Sequence, residues 1–284
     1  MATRTPKFED KFVAFIDVLG FKGILEKAEG QSVDALPEIL NMLKKLGSAE
    51  DSNKFSKYGP TTCPEANCIN KNLNFTVLQV SDCAIISCEV SPAGIINLIS
   101  HCWSAAMALL PMGIMCRGYI TRGNVYHTTN QIIGTGYNKA YEKEARGIKA
   151  FQRDADELGT PFIEIDEELV SYIQEHGDAC VKKMFFRLTR SDGTVSAVFP
   201  FQRLSHSFAI DANFDAEKEK KSNDVVRTWI LDFKKRIMEN VDESNKKAIK
   251  KAEHYLSALD EQLEICDKTD EAINRLSSPF PRKR

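Results

Sequence analysis

With 284 residues, 43% of them apolar and 27% charged, the chain has ordinary globular composition and the length to bury a core without disulfide or metal staples. A net charge of −2 and a pI of about 6.3 exclude the broad positive field that draws proteins to nucleic acid or to anionic membranes, so neither is expected as a partner and an anionic ligand must be held by local groups. The first residues lack the apolar centre of a secretory signal, and the long apolar stretch 94–115 is interrupted by Asn97, His101 and Pro111, which makes a cytoplasmic protein the expectation. Of eight cysteines, Cys83, Cys88, Cys102 and Cys116 lie in apolar runs, where free cysteine acts as a small hydrophobe, and disulfides are not expected.

In chain order, 12–17 is a β-prone apolar run ending on Asp17, followed by Gly20 and Phe21, and predicts a buried strand leaving into a tight turn. A helix is predicted over 34–46, closed by Gly47. The polar segment 48–71, with Gly59-Pro60 and the Cys63–Cys68 loop, reads as an insertion; no second Cys or His pair at zinc spacing accompanies the two cysteines. Strands 75–80 and 83–88 are predicted to meet in a hairpin whose tip is Ser81-Asp82. Ser91-Pro92 opens a buried helix to about Leu110, with His101 as a satisfied core residue.

Next come a strand over 113–119, a glycine turn over 121–124 and a strand over 125–127. A helix opens at the Gly134-Thr135-Gly136 run and extends through Ala145. Beyond it the pattern predicts a strand at 161–165, a helix at 167–176 and paired strands at 184–188 and 195–199 around Ser191-Asp192-Gly193. The stretch 225–276, free of proline and glycine, reads as one or two long amphipathic helices.

Asp17 and Asp82 stand at the ends of predicted strands among apolar residues, where carboxylates are costly to bury unless a cation neutralises them. One reading is a site for two divalent ions, roughly 3.5–4 Å apart, with hard oxygen ligands favouring Mg²⁺ or Mn²⁺. The other is a pair of ordinary turn residues, a common place for Asp. Gly20 and the backbone N–H groups after Asp17 add a cradle suited to phosphate.

The segment Phe15-Ile16-Asp17-Val18-Leu19-Gly20-Phe21 resembles the first metal motif of class III nucleotide cyclases, and Val80-Ser81-Asp82 their second, with Ser81 where glycine is usual. Residues 117–124 are similar to the family's next strand and glycine turn, and 134–140 to its Gly-x-x-Val-Asn-x-Ala segment; together these span roughly half of the chain. The resemblance implies an α+β, ferredoxin-like cyclase fold, an antiparallel-rich sheet with flanking helices, over 8–212, with a helical region over 213–284. It implies that Asp17, Asp82 and the Val18 carbonyl bind two metal ions, that Gly20, Phe21 and Lys22 lie at the phosphates, and that Asn138 orients the ribose of a nucleoside triphosphate. It further implies a homodimer with active sites at the subunit interface.

The family's transition-state arginine position is occupied by Glu142, which leaves Arg117, Arg122 and Arg146 as cation candidates: Arg122 is taken as catalytic, Arg117 as substrate-binding and Arg146 as a solvated helix-end charge. Leu78 and Gln131 occupy the base-selecting positions. An apolar residue and an amide match neither purine pattern, although Leu78 also fits plain core packing. With the terminal helices, these features look most like the Pycsar pyrimidine cyclases of bacterial antiphage defence. That resemblance implies conversion of UTP to cyclic UMP, with cyclic CMP the alternative, and signalling through the product to a separately encoded effector. A catalytically silent nucleotide-sensing dimer and a structural dimerisation protein built on 225–276 remain as readings of other classes.

Overall fold

The computed structural model describes residues 5–30, 35–60, 72–211 and 214–277. Internal contacts divide the chain into two compact units, Met1–Leu110 with Ile114–Pro200, and Pro111–Gly113 with Phe201–Arg284.

The first unit begins with β1 (Glu9–Val18), followed by α1 (Phe21–Glu29), α2 (Ala35–Leu43) and α3 (Ala49–Tyr58). The hairpin of β2 (Thr76–Val80) and β3 (Cys83–Glu89) leads into α4 (Pro92–Leu109), and then β4 (Cys116–His127), β5 (Ile132–Ile133) and α5 (Thr135–Arg146). After these come β6 (Ile163–Ile165), α6 (Glu167–His176), α7 (Ala179–Leu188), β7 (Thr189–Ser191) and β8 (Ser196–Val198). The strands lie in the order β2-β3-β1-β4-β6-β8-β7, with β5 on β4. β1 is antiparallel to both β3 and β4, β2 is antiparallel to β3, and among the described residues only β4–β6 is parallel. Read from β4 to β2, this is the 4-1-3-2 order of a ferredoxin-like βαββαβ core, and the expected α+β, antiparallel-rich sheet with flanking helices is present.

β1 is central and covered on both faces, which is why it reads as an unbroken apolar run instead of an alternating one. One face packs Val13 and Phe15 with Ile85 and Val125 against Ala140 of α5. By alternation, Phe12, Ala14 and Ile16 point to the opposite face, where α4 lies on β1 and β3. α4 is apolar enough by composition to cross a membrane, but most of it is buried in this core. Its start is as expected: Ser91 Oγ accepts from the Gly94 N–H at 3.0 Å, with Pro92 at N1. His101 Nε2 lies 3.0 Å from the Leu46 carbonyl oxygen and is satisfied there.

Four expectations are corrected. Cys180 is disulfide-bonded, against the expectation of no disulfides. The glycine turn at 121–124 is absent: β4 runs unbroken through it, paired with β1 from Glu9↔Val125 to Val18↔Cys116. Gly123 serves close approach, since a Cβ there would lie 2.7 Å from Gly136 Cα, where α5 crosses the strand. Residues 184–188, expected as a strand, are the end of α7, whose Val181, Phe185 and Leu188 are buried at helical spacing behind an Asp178 N-cap. Within 48–71, residues 49–58 form α3, started by a reciprocal cap in which the Ser48 N–H donates to Asp51 Oδ2 at 2.8 Å. Cys63 and Cys68 lie outside the described residues.

The second unit holds α8 (Ala216–Asn240) and α9 (Lys246–Ser277), where one or two long helices are expected over 225–276; α8 starts ahead of that stretch, at Ala216. Asp215 caps α8 by accepting from Glu217 and Lys218 N–H groups. Ala252, Tyr255, Leu259, Gln262 and Cys266 are buried at alternating three- and four-residue steps along α9, with Ile273 one heptad further, and face Asn223, Ile230, Phe233 and Ile237 of α8, an antiparallel seam with coiled-coil spacing.

Candidate functional site

Asp17 is the next-to-last residue of β1, directly opposite Cys83 of β3 on one side and Arg117 of β4 on the other. The β2–β3 turn folds back on this end: the Val18 N–H donates to the Asp82 carbonyl oxygen at 3.1 Å. Ser81, the first central residue of that turn, has φ 54°, so it adopts the left-handed conformation for which the related motif carries glycine. After Val18 the chain turns through Gly20 at φ 77°, also left-handed, and α1 starts at Phe21. A Cβ at Gly20 would meet no atom within 4 Å, so glycine is required there by backbone conformation and the space at the helix N-terminus stays open.

The turn and the strand end bring ligand atoms of Asp17, Asp82 and Cys83 within 4.8 Å of one another. The Cys83 thiol donates to Asp17 Oδ1 at 3.3 Å. Burial, with Glu144 and Asp82 adding to it, holds the Asp17 carboxyl up at about 6 against the Cys83 hydrogen bond and Arg117, which act the other way. The same burial, with Asp17 beside it, raises the Cys83 thiol well above its usual range. A carboxylate desolvated this far and facing two others is stabilised by a cation. The donor set of two carboxylates beside the Val18 backbone fits a hard divalent ion, and these are the residues that would hold it.

The other expected residues are placed as follows. Phe21 is buried, whereas the Lys22 side chain is 90% exposed and 3.6 Å from Glu26. Leu78 is half-buried on β2 opposite Ile85, on the same sheet face as Cys83 and Asp17. Gln131 is exposed in the turn between β4 and β5, its carbonyl accepting from the Thr128 N–H. Asn138 is exposed on α5, in a groove of about 330 Å³ shared with Lys139, Glu142 and Arg146. Glu142 pairs with Arg146 at 3.2 Å, as a solvated helix-end charge does.

Arg117 and Arg122 part company. Arg117 Nη2 lies 3.9 Å from Asp17 Oδ2. Arg122 is five residues along β4, roughly 16 Å at about 3.3 Å per residue, and pairs with Phe12, so alternation turns it to the other sheet face. It is held there by Asp10, with Nη2 to Oδ2 at 2.7 Å. Within one chain the structure therefore groups Asp17, Asp82, Gly20 and Arg117 and leaves Asn138, Gln131 and Arg122 outside that group.

Sequence reasoning missed Glu144, whose buried carboxylate accepts from Arg117 Nε, and it treated Cys83 as a small hydrophobe. Glu144 had a signal: with Gly136 and Ala140 it forms a stripe at four-residue spacing, small, small, acid, on the sheet-facing side of α5.

No protein-family model matches the chain, and no curated protein matches it. Two solved structures of a bacterial light-regulated adenylyl cyclase are similar to it. One has 12% identity and a TM-score of 0.36, and the other 13% and 0.35; each match covers 80% of this chain and 59% of the other. The chain thus spans about three fifths of the length of those structures. At such scores the strand order and register, rather than the likeness, define the fold.

Proposed function

We propose that the chain is a nucleotide cyclase that converts a pyrimidine nucleoside triphosphate, UTP in the first instance, to its 3′,5′-cyclic monophosphate and pyrophosphate. The observation that carries this reading is the convergence of Asp17, Asp82 and Cys83 beside the Gly20 turn, with Asp17 so desolvated that its carboxyl is pushed up to about 6.

Asp17 and Asp82 would hold Mg²⁺ or Mn²⁺, two ions in the full site, which would supply charge neutralisation on the phosphates and activation of the attacking hydroxyl. Gly20 leaves room for phosphate oxygens, and at the start of α1, ahead of Gly23 and Ile24 whose N–H groups are taken by the Gly20 carbonyl, the first backbone N–H groups favour anions. Arg117 adds a cation at the same end of the sheet. In the reaction the 3′-oxygen bonds to the α-phosphorus, the bond to the α–β bridging oxygen breaks with its electron pair leaving on pyrophosphate, and the hydroxyl proton passes to solvent. Positioning and electrostatics carry most of the rate.

Asn138 is exposed in a groove of α5 and outside the acid cluster of its own chain, so a role on the ribose would call for a homodimer in which each site takes metal ligands from one subunit and Asn138 from its partner. Leu78, on the acid-bearing sheet face, and Gln131 would contact the base; the amide both donates and accepts, as a pyrimidine edge requires. In this reading the protein acts in the cytoplasm in antiphage defence, and the product, not the protein, reaches the effector.

The test is incubation with each of the four nucleoside triphosphates and Mn²⁺ or Mg²⁺, with products resolved by chromatography. Cyclic UMP is the expected main product. Cyclic CMP would move the base assignment to cytosine, cyclic AMP alone would refute the pyrimidine reading, and no cyclic product from any substrate would remove the enzyme.

Glu142, standing at the arginine position and paired with Arg146, motivates a second reading: a nucleotide-sensing dimer without turnover. Nucleotide binding that requires Asp17 and Asp82, without product, is its signature.

A further inference from the structure

At the end of β1 one guanidinium is shared between two carboxylates, Asp17 and Glu144, with a third, Asp82, beside Asp17. Arg117 stands opposite Asp17 in the β1–β4 register, its Nη2 3.9 Å from Asp17 Oδ2, close enough for attraction and too far for a hydrogen bond. Its Nε is hydrogen-bonded to Glu144, whose side chain is 5% exposed. Its Nη1 lies beside Gly159, where a Cβ would come within 3.1 Å of it. Asp82, the third acid, has no ion pair to Arg117 among the described contacts.

The sequence of α5 explains how the carboxylate reaches this place. Gly136 and Ala140 let the helix settle onto β4 and β1, and one turn further the same stripe delivers Glu144. A buried acid there is tolerable only with a partner, and Arg117 is that partner. A guanidinium is a rigid planar fork, so fixing Nε against Glu144 also fixes where the two terminal nitrogens point. Glu144 thus determines that Nη2 faces Asp17.

We infer that Glu144 is a positioning residue that holds the Arg117 guanidinium beside Asp17 as an internal counter-ion, one that competes with a divalent cation for Asp17 and turns to the substrate phosphates once that cation is bound. This deepens the cyclase reading and rests on it for the phosphates; the competition for Asp17 depends only on Asp17 binding a cation.

The two residues carry opposite charges, so they move cation affinity in opposite directions. Titration of the full-length protein with Mn²⁺, followed by the loss of the free-ion electron paramagnetic resonance signal, reads this without turnover. Arg117→Met, which keeps the alkyl stem and removes the competitor, is expected to tighten Mn²⁺ binding about tenfold. Glu144→Gln, which leaves the guanidinium charge uncompensated beside Asp17, is expected to weaken it about tenfold and to raise KM for the nucleotide more than it lowers kcat.

The decisive measurement is Glu144→Gln in the Arg117→Met background. If Glu144 acts through Arg117, its effect there falls below about threefold; an equal shift in both backgrounds means that Glu144 acts by its own charge, and overturns the inference. Should Arg117→Met fail to fold by circular dichroism, Arg117→Gln carries the same test, because it also removes the charge while keeping a polar side chain. Wild-type protein that fails to bind Mn²⁺, or Asp17→Asn that binds it equally well, removes the metal site itself, an outcome distinct from unchanged affinity in the Arg117 and Glu144 variants.

Discussion

Arg227 and Arg117 each stand among carboxylates, and they are built to opposite ends. Arg227 of α8 gives Nη1 to Asp267 and Nη2 to Asp270 of α9, both at 2.6 Å, and Asn223 adds a donor to Asp270 at 2.7 Å and one to the Cys266 carbonyl at 2.8 Å. Each carboxylate there has a close donor, and the cluster ties two helices whose apolar seam alone would allow sliding. Arg117 bonds Glu144, stands off Asp17 and leaves Asp82 to the turn. The first arrangement is a staple. The second is short of positive charge, and an acidic site short of charge is disposed to take a cation.

The largest break in that comparison comes from removing the acids. Asp17→Ala or Asp82→Ala is expected to lower cyclic nucleotide formation on the order of 10³-fold, several kcal/mol of charge stabilisation lost, while circular dichroism stays native. Retention of product in both variants would make the cluster a second staple.

Next in size is the response of Asp17 to pH. Its folded carboxyl sits at about 6, above its ordinary value of 3.8, so the folded state holds that proton more tightly than the unfolded chain. The stability it contributes is full below about pH 4 and is lost as pH rises through 6. Asp17→Asn, a neutral isostere, is therefore expected to be more stable than the wild type by about 2 kcal/mol at pH 7.5 in chelator, the two converging near pH 4 in thermal melts. Equal melting at every pH would show that Arg117 already neutralises Asp17.

Asn223→Ala tests the other cluster. It removes the side-chain donor to the Cys266 carbonyl, which lies inside α9, and to one oxygen of Asp270, although Asn223 Oδ1 is itself buried without a partner, so a loss of about 1–2 kcal/mol is expected in denaturant melts. Mn²⁺ affinity should not change. The smallest effect is at Lys22, whose solvated pair with Glu26 is worth at most about 0.5 kcal/mol; Lys22→Ala should melt like the wild type, and a rise in KM would assign its charge to the phosphates.

What was legible in the chain was local. The apolar run into Asp17, the Ser91-Pro92 cap, the 167–176 helix and the seam of α8 and α9 each carry their signal within a few neighbouring residues. What misled was residue type without context. Gly123 looks like a turn until α5 is seen to cross over it, and Arg122, beside that glycine, looks like part of a site until strand alternation turns it to the far face. Cys83 among apolar neighbours looks inert, yet pairing sets it against Asp17.

By itself the sequence determined most strands and helices of the core, the end of α7 and the 121–124 stretch of β4 excepted, and where carboxylates interrupt them, because propensity, capping and apolar periodicity act over one or two turns. It could not determine that Asp17, Asp82, Arg117 and Glu144 share one end of one sheet. That grouping follows from register, from a turn tip and from the four-residue stripe of a helix crossing at Gly136, which are relations between segments distant in the chain; only the folded sheet decides them.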